Sequence, residues 1–473
     1  MFAVAATAAD LKIHSLRFIM MLSFYHKYLY ELRQPLRRYN TVSMVEEISP
    51  ARSVRGTIRV PGDKSISHRY AMLTSIAEGE SEIFNYSTGA DCQSTLRCLQ
   101  ALGVNCSFSH EAGQRVLKIQ GKGLDGLQAP QHQLDAGNSG STIRMLSGIL
   151  AAQSFTTDIS GDASLAKRPM ARVMAPLSEM GAHIDAANGQ YPPLTIHGSP
   201  LRAIDYHLPV PSAQVKSCVL LAGLYSDGET TVRERIATRD HTEIALRELG
   251  ADVTVEPRLA RVHGKAHLHA ERLFVPGDIS SAAFFIVAGL IAHEADLIIA
   301  DVGLNPTRTA MLDVLRGMGA SIKLLHIEQA NGELMGNLQI KTSRIRGGTI
   351  EGATTAAVID EIPVFAVLGA VSEEGLIVRD AAELRVKETD RIDTLARNLH
   401  SMGITVVTTD DGIEVPGKQK FRAAHLKSYG DHRIAMAFSV AALAADDTSR
   451  IEDADAASVS FPEFYDKLRQ VTQ

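Results

Sequence analysis

Val60-Pro61-Gly62-Asp63-Lys64-Ser65-Ile66-Ser67-His68-Arg69 reads as a strand end, a tight Pro-Gly turn and the first turn of a helix. Lys64, Ser65 and Arg69 then gather near a helix N-terminus, where free N–H groups and the positive end of the helix dipole favour an anion. Ser65 and Arg69 stand four apart and share a helix face. Taken alone, the stretch is explained as well by a capped surface helix with solvated charges. The chain nearly repeats it, however, at Val275-Pro276-Gly277-Asp278-Ile279-Ser280-Ser281. Two V-P-G-D turns, one near the start and one past the middle, imply two related halves.

A second repetition runs through both halves. Leu102-Gly103-Val104, Met180-Gly181-Ala182, Leu249-Gly250-Ala251, Met318-Gly319-Ala320 and Met402-Gly403-Ile404 each follow apolar residues at helical spacing. Glycine there supplies a left-handed cap that stops a helix, and a strand such as Asp252-Val253-Thr254-Val255 follows. A final helix, Phe464 to Val471, reads as a sixth, truncated copy. Spacings of roughly 70–80 residues exceed the 20–50 of solenoid repeats. They imply βαβ-type units grouped into globular lobes, three units on each side of the second V-P-G-D turn.

Composition narrows the function. The 473 residues suffice for two or more domains, and 45% hydrophobic with 22% charged residues is ordinary for a globular protein. A net charge of −6 and the absence of Trp argue against a nucleic-acid binder. Cys92, Cys98, Cys106 and Cys218 form no C-x-x-C pair and have no His at zinc spacing. They read as buried, reduced thiols, which places the protein in the cytoplasm. Residues 1–43 differ from the rest. Their apolar run is too short and too interrupted to span a membrane and lacks the layout of a secretory signal. They are expected to be a poorly packed extension, with Met44 a natural start.

The chemistry sits where the repeats are interrupted. Leu134-Asp135-Ala136-Gly137-Asn138-Ser139-Gly140-Ser141-Thr142-Ile143-Arg144 is a glycine-bearing loop running into a helix. In Gly161-Asp162-Ala163-Ser164-Leu165-Ala166-Lys167-Arg168-Pro169-Met170, Pro169 holds Arg168 extended. Ser212-Ala213-Gln214-Val215-Lys216-Ser217 puts polar groups at the mouth of an apolar helix, and Thr238-Arg239-Asp240-His241 repeats the pattern. In the second half, Asp360-Glu361 precedes an apolar helix from Val364 to Val371. A helix from about Lys387 would set Lys387 and Arg391 on one face with Glu388 on their flank. His432-Arg433 opens another apolar helix. Many cations at helix starts, with very few acids among them, suit a substrate pair of several negative charges. No Walker, GxSxG or HExxH motif is present.

In order, P-G-D-K-S-I-S-H-R, G-N-S-G-S-T-I-R, G-D-A-S-L-A-K-R-P-M, S-A-Q-V-K-S, R-D-H-T-E, I-D-E-x-P, L-R-V-K-E-T-D-R and D-H-R-I-A-M resemble the 5-enolpyruvylshikimate-3-phosphate synthases over residues 47 to 473. Each motif is modest alone; eight in order are specific. The resemblance implies an α/β fold of two domains, the inside-out α/β barrel, each domain three βαβαββ repeats. It implies lobes of 63–276 and 46–62 plus 277–473 with the active site in the cleft between them.

The implied reaction transfers the enolpyruvyl group of phosphoenolpyruvate to the 5-hydroxyl of shikimate 3-phosphate. Neither cofactor, metal nor covalent enzyme intermediate is required, and a monomer with no nucleic-acid or membrane partner is expected. Matched motif by motif, Lys64, Ser65, Arg69, Ser212, Gln214, Arg239, Asp360 and Lys387 are expected at shikimate 3-phosphate. Lys64, Gly140, Arg168, Gln214, Arg391, His432 and Arg433 are expected at phosphoenolpyruvate. Asp360 matches the base that takes the hydroxyl proton. Glu388 matches the acid that protonates the methylene carbon, a role that needs a carboxyl kept neutral by its surroundings. Lobe closure is expected to join the half-sites and exclude water.

Two departures stand out. Val459-Ser460-Phe461-Pro462 lacks the Lys that many members carry there, and Glu383 stands where some have Asn. Gly140 leaves room for phosphoenolpyruvate or its mimic glyphosate, so glyphosate sensitivity is expected. Three alternatives share parts of the pattern. UDP-N-acetylglucosamine enolpyruvyl transferase commonly carries a loop Cys, which Gly161 to Met170 lacks. RNA 3′-phosphate cyclase depends on ATP and a basic surface. A non-catalytic anion-binding protein of the same fold would not need Asp360 and Glu388.

Overall fold

The computed structural model describes residues 44–111 and 113–472; the expectation for residues 1–43 lies outside the described residues. Six small sheets are built to one plan. In one, Asp205–His207 runs parallel to Glu229–Arg233, which pairs antiparallel with Leu259–His263, itself antiparallel to Val253–Glu256. Five of the six described sheets have four strands in this pattern. In the sixth, His425–Lys427 runs parallel to Ser449–Glu452, which is flanked on its other side by Glu46–Ile48. A buried helix connects the strands of each parallel pair except two: Arg272–Phe274 with Glu80–Phe84, and Ser53–Arg59 with Glu294–Gly303, whose strands are separated by long stretches of the chain. This is an α/β architecture.

The five expected glycine stops all take left-handed backbone, with φ of +86° at Gly103, +103° at Gly181, +91° at Gly250, +98° at Gly319 and +79° at Gly403. Phe464–Val471 is helical as read, ending at Thr472 without a glycine.

Buried apolar side chains fall into two clusters. One runs from Ile66 to Val275; the other takes Ile48 to Val60 together with Ile279 to Val471. The first surrounds the helices Lys64–Ser75, Gly140–Leu150 and Ala213–Gly223. The second surrounds Ile279–Ile291, Ile362–Val371 and His432–Leu443, which pack on one another.

The two V-P-G-D turns lie against each other at the crossovers between these clusters. Asp63 N–H donates to Pro276 O at 2.7 Å, and Asp278 N–H donates to Pro61 O at 2.8 Å. A Cβ at Gly62 would fall 1.8 Å from Asn85 O, so only glycine permits this approach. Asp63 and Asp278 then cap their helices through Ile66 N and Ser280 N. The near-repeat that organises the sequence is therefore a pair of turns bonded to each other in space.

Candidate active site

The charged residues singled out above converge on the starts of the buried helices. In the first half, Lys64 opens its helix and donates from Nζ to Asp91 Oδ2 at 2.9 Å. Burial opposes the charge, but Asp91 and Glu388 outweigh it and raise the Lys64 pKa. Ser65 Oγ accepts from Arg239 Nη1 at 3.2 Å. Arg168 is extended as expected (φ −90°, ψ 126°), donating from Nη2 to Asn138 Oδ1 at 2.9 Å. Gln214 accepts from Arg144 Nη1 at 2.8 Å and donates to Ser141 Oγ at 2.9 Å, which ties it to the glycine-bearing loop. A Cβ at Gly140 would lie 2.9 Å from Arg144 Nη1 and 3.7 Å from Arg168 Nη1.

The second half brings the carboxylates. Asp360 is ringed by Arg239 Nη2 at 3.3 Å, Arg391 Nη1 at 3.5 Å, Lys387 Nζ at 3.7 Å and Arg433 Nη2 at 3.9 Å. Burial pushes its pKa up, yet Lys387, Arg433, Arg239 and Arg391 together hold it well below the carboxylate range. Glu388 takes Arg391 Nη2 at 2.6 Å on one oxygen and faces Arg168 Nη2 at 3.7 Å with the other. Asp431 caps the His432–Leu443 helix and accepts from Arg391 Nε at 2.8 Å. His432 is buried with both ring nitrogens unpartnered, and burial followed by Lys64 lowers its pKa to about 4, so it is neutral at pH 7.

Three expectations need correcting. The helix near the charge cluster is Arg391–Ser401, not one from about Lys387. Asp390 caps it through Asp393 N, and Lys387 (φ −76°, ψ −152°) ends a preceding 3-10 turn. Lys387 and Arg391 therefore meet at Asp360 by loop geometry, not by helical spacing. Second, Glu388 is not kept neutral: burial favours the neutral form, but Arg391, His432, Arg168 and Lys64 hold its pKa below the carboxylate range. Third, the cations are not short of acids, since Asp91, Asp360, Glu388 and Asp431 all pair with them. Asp91, Asp360 and Asp431 come from segments away from their cations, so counting along the chain understates them.

Arg69 stands behind the cluster. Its guanidinium donates to Ser65 O, Thr242 Oγ1 and Ser217 Oγ at 2.7–2.8 Å, so it supports Ser65 from within the core. Ser212 accepts from Val215 N and caps its helix. Three supporting residues were not assigned from the sequence. Asp91 steadies Lys64, and Asp431 orients Arg391. Lys216, 2% exposed, binds Glu243 Oε1 at 2.7 Å and Glu234 Oε2 at 2.9 Å and reaches Thr238 O at 3.4 Å, fixing the loop that presents Arg239. Only the placement of Lys216 inside an apolar helix hinted at a buried partner.

The arrangement leaves donors for an anion. Buried Arg391 Nη1 and Arg168 Nε lack hydrogen-bond partners within the protein, as do both His432 nitrogens, one of which carries the N–H of the neutral ring. Polyanion binding beside two carboxylates is what such a site can do chemically.

Comparison with known proteins agrees. The model of the family EPSP synthase (3-phosphoshikimate 1-carboxyvinyltransferase) matches residues 48–468. A 3-phosphoshikimate 1-carboxyvinyltransferase of Solibacter usitatus is 61% identical, covering 91% of this chain and 100% of its own. One of Koribacter versatilis is 48% identical over 90% and 99%. The solved EPSP synthase of Acinetobacter baumannii superposes with a TM-score of 0.81 at 40% identity, covering 91% of this chain and 98% of its own. The enolpyruvyl transferase NikO of Streptomyces tendae shares the fold, at a TM-score of 0.72 and 18% identity. The chain belongs to the EPSP synthase (3-phosphoshikimate 1-carboxyvinyltransferase) family.

Proposed function

We propose that this chain transfers the enolpyruvyl group of phosphoenolpyruvate to the 5-hydroxyl of shikimate 3-phosphate, and that the residues above divide the work as follows. Lys64, Ser65, Arg239 and Lys387 hold shikimate 3-phosphate, with Ser212 at its edge and Arg69 acting through Ser65. Lys64, Arg168, Arg391, His432 and Arg433 hold phosphoenolpyruvate against the open backbone at Gly140. Gln214, bonded to the glycine-bearing loop, lies between the two.

Asp360 takes the hydroxyl proton as that oxygen bonds to the enol carbon. Glu388 gives a proton to the methylene carbon, then recovers one from the resulting methyl group as the bond to phosphate breaks. The hydroxyl proton leaves with phosphate, so atoms and charges balance. Oxocarbenium character at the central carbon is stabilised by the flanking carboxylates.

Electrostatics of the free site explain how Glu388 acquires its proton. Arg391, Arg168 and Lys64 hold it ionised when no substrate is bound. Phosphoenolpyruvate brings a carboxylate and a phosphate to those same cations. Their compensation removes the pull on Glu388 and leaves the burial that favours its neutral form. The acid is armed by the substrate it protonates.

The observation that carries this reading is that Arg239–Asp360 and Arg168–Glu388 join groups from the two halves within 3.3 and 3.7 Å. The division of the apolar clusters supports lobes of 63–276 and 46–62 plus 277–473, with substrates enclosed between them. Because one chain supplies the whole constellation, we read it as working as a monomer; sedimentation equilibrium tests that. Among the described residues no helix is long and apolar enough to cross a membrane.

The deciding experiment follows phosphate release from phosphoenolpyruvate with shikimate 3-phosphate or UDP-N-acetylglucosamine as acceptor, in chelator-treated buffer. Release with shikimate 3-phosphate alone is expected. Release with the sugar nucleotide alone would overturn the acceptor assignment, and no release with either would overturn the transferase reading.

A further inference from the structure

On the outer face of one sheet, antiparallel pairing sets His183 opposite His197, with Asp185 diagonal to His197. His183–Ala187 is the edge strand and Tyr191–His197 its neighbour. The side chains turn towards one another. His197 Nε2 lies 2.9 Å from Asp185 Oδ2, His183 Nε2 lies 3.7 Å from Asp185 Oδ1, and the imidazole centroids are 4.9 Å apart. All three ligand atoms fall within 4.8 Å of one another. Ile184 and Ile196 point the other way, Ile196 fully into the core, so the backbone beneath the cluster is fixed.

We infer that His183, Asp185 and His197 form a surface site for a divalent transition-metal ion of the Zn²⁺ class. The donor set is two imidazoles and one carboxylate, the combination such ions select; Mg²⁺ and Ca²⁺ prefer oxygen-only sites. Tetrahedral Zn²⁺ at ordinary bond lengths holds its ligand atoms roughly 3.4 Å apart. One ligand atom from each residue lies within 4.8 Å of the others, so side-chain rotations bring the three to that spacing.

A second observation points the same way. His197 Nδ1 lies 3.3 Å from Thr156 Oγ1 on the strand beyond. With Nδ1 protonated and donating to that oxygen, Nε2 offers its lone pair to the ion, the outer partner that metal-bound histidines require. The ion then replaces the proton between His197 and Asp185. A water completes the coordination. The bound ion clamps the edge strand to its neighbour. The sequence conceals the cluster because His183 and His197 are separated by a turn and meet only through strand register.

The test titrates metal-stripped full-length protein with Zn²⁺ by calorimetry, and with Co²⁺ by visible absorption. One equivalent is expected at this site. His197→Ala should abolish it, and Thr156→Val should weaken it by about tenfold. Zn²⁺ should raise the melting temperature of the unaltered chain and leave that of His197→Ala unchanged, while Mg²⁺ does nothing. These positions are exposed or half-buried on a sheet surface, so metal-free variants should melt with the parent. Zn²⁺ binding that survives both His183→Ala and His197→Ala, or no Zn²⁺ binding at all, would overturn the site.

Discussion

The two halves of the active site treat their arginines in opposite ways. In the first half, burial lowers the pKa of Arg69 and of Arg144 to about 10 and also lowers that of Arg239, with like-charged neighbours adding to the effect. In the second, burial acts on Arg391 too, but Asp431 and Glu388 overcome it and hold the guanidinium firmly charged. For the first-half arginines burial thus outweighs the carboxylates nearby, Glu243 at Arg69 and Asp360 at Arg239, while Arg391 is clamped to carboxylates. The difference teaches a division of labour: both halves hold the anions, but a ligand's negative charge is needed most at the first-half guanidiniums, and proton chemistry is tuned in the second half.

Substitutions that separate binding from turnover can break this division. Glu388→Gln keeps shape and hydrogen bonding but cannot exchange a proton, and should lower kcat by roughly 10²–10⁴-fold with little change in substrate affinity. Arg144→Met should instead raise the phosphoenolpyruvate KM by about tenfold to a hundredfold, the worth of a charged hydrogen bond, through the loss of its hold on Gln214. Steady-state kinetics on both variants decide it. A pure KM effect from Glu388→Gln would break the comparison.

The halves also differ in how their central helices are joined. In the first, Lys216 is locked between Glu243 and Glu234, and a buried chain links His68 Nδ1, Thr95 Oγ1, Thr142 Oγ1 and Ser139 Oγ at 2.7 Å per step. In the second, Ile279–Ile291 and Ile362–Val371 present almost wholly apolar, buried surfaces. Lys216→Met strands two buried acids and should cost about 3–5 kcal/mol in denaturant melts. Phe365→Ala, in the apolar core, should cost a similar 3–5 kcal/mol by cavity formation. Only the first should also raise the KM for shikimate 3-phosphate, because Lys216 braces the loop carrying Arg239.

That contrast explains what could be read from the chain. Repeats, glycine stops and the paired V-P-G-D turns are local patterns with local causes, and the structure reproduces them. The site was legible as ordered motifs because each sits at a helix start. Its compensation was not, since Asp91, Asp360 and Asp431 approach their cations from segments far apart in sequence, and only the fold sets those distances. The ionised Glu388 has a nearer cause, Arg391 three residues on, and so does the helix that begins at Arg391 instead of Lys387. Turn geometry at Lys387 and Asp390 overrode a spacing argument that assumed one continuous helix.

Gly140 offers a smaller test at the boundary of the two behaviours. A methyl group there meets the mobile end of Arg144 at 2.9 Å, so Gly140→Ala should fold normally. It should raise the KM for phosphoenolpyruvate several-fold and weaken inhibition by glyphosate more, because the guanidinium pair of Arg144 and Arg168 must shift. The unaltered chain should be inhibited at glyphosate concentrations near that of phosphoenolpyruvate; activity retained far above it would contradict the role of Gly140.

The smallest expected effect is the sharpest test of substrate-armed acid chemistry. Asp360 and Glu388 have folded pKa values below their ordinary ones, so the stability they contribute is present above the carboxylate range and is lost as pH falls through it. Substrate binding acts in the reverse sense, because anions compensate Arg391, Arg168 and Lys64 and raise the carboxyl pKa. Protons must then be taken up when the complex forms, by less than about one per site near pH 7 and more towards pH 5. By linkage, substrate affinity strengthens as pH falls over that window. Calorimetry in buffers of different ionisation enthalpy reads the uptake directly, and the substrates' own phosphate titration is removed by subtracting Glu388→Gln. If the two proteins take up equal numbers of protons, Glu388 is not armed by phosphoenolpyruvate, and the second half only binds.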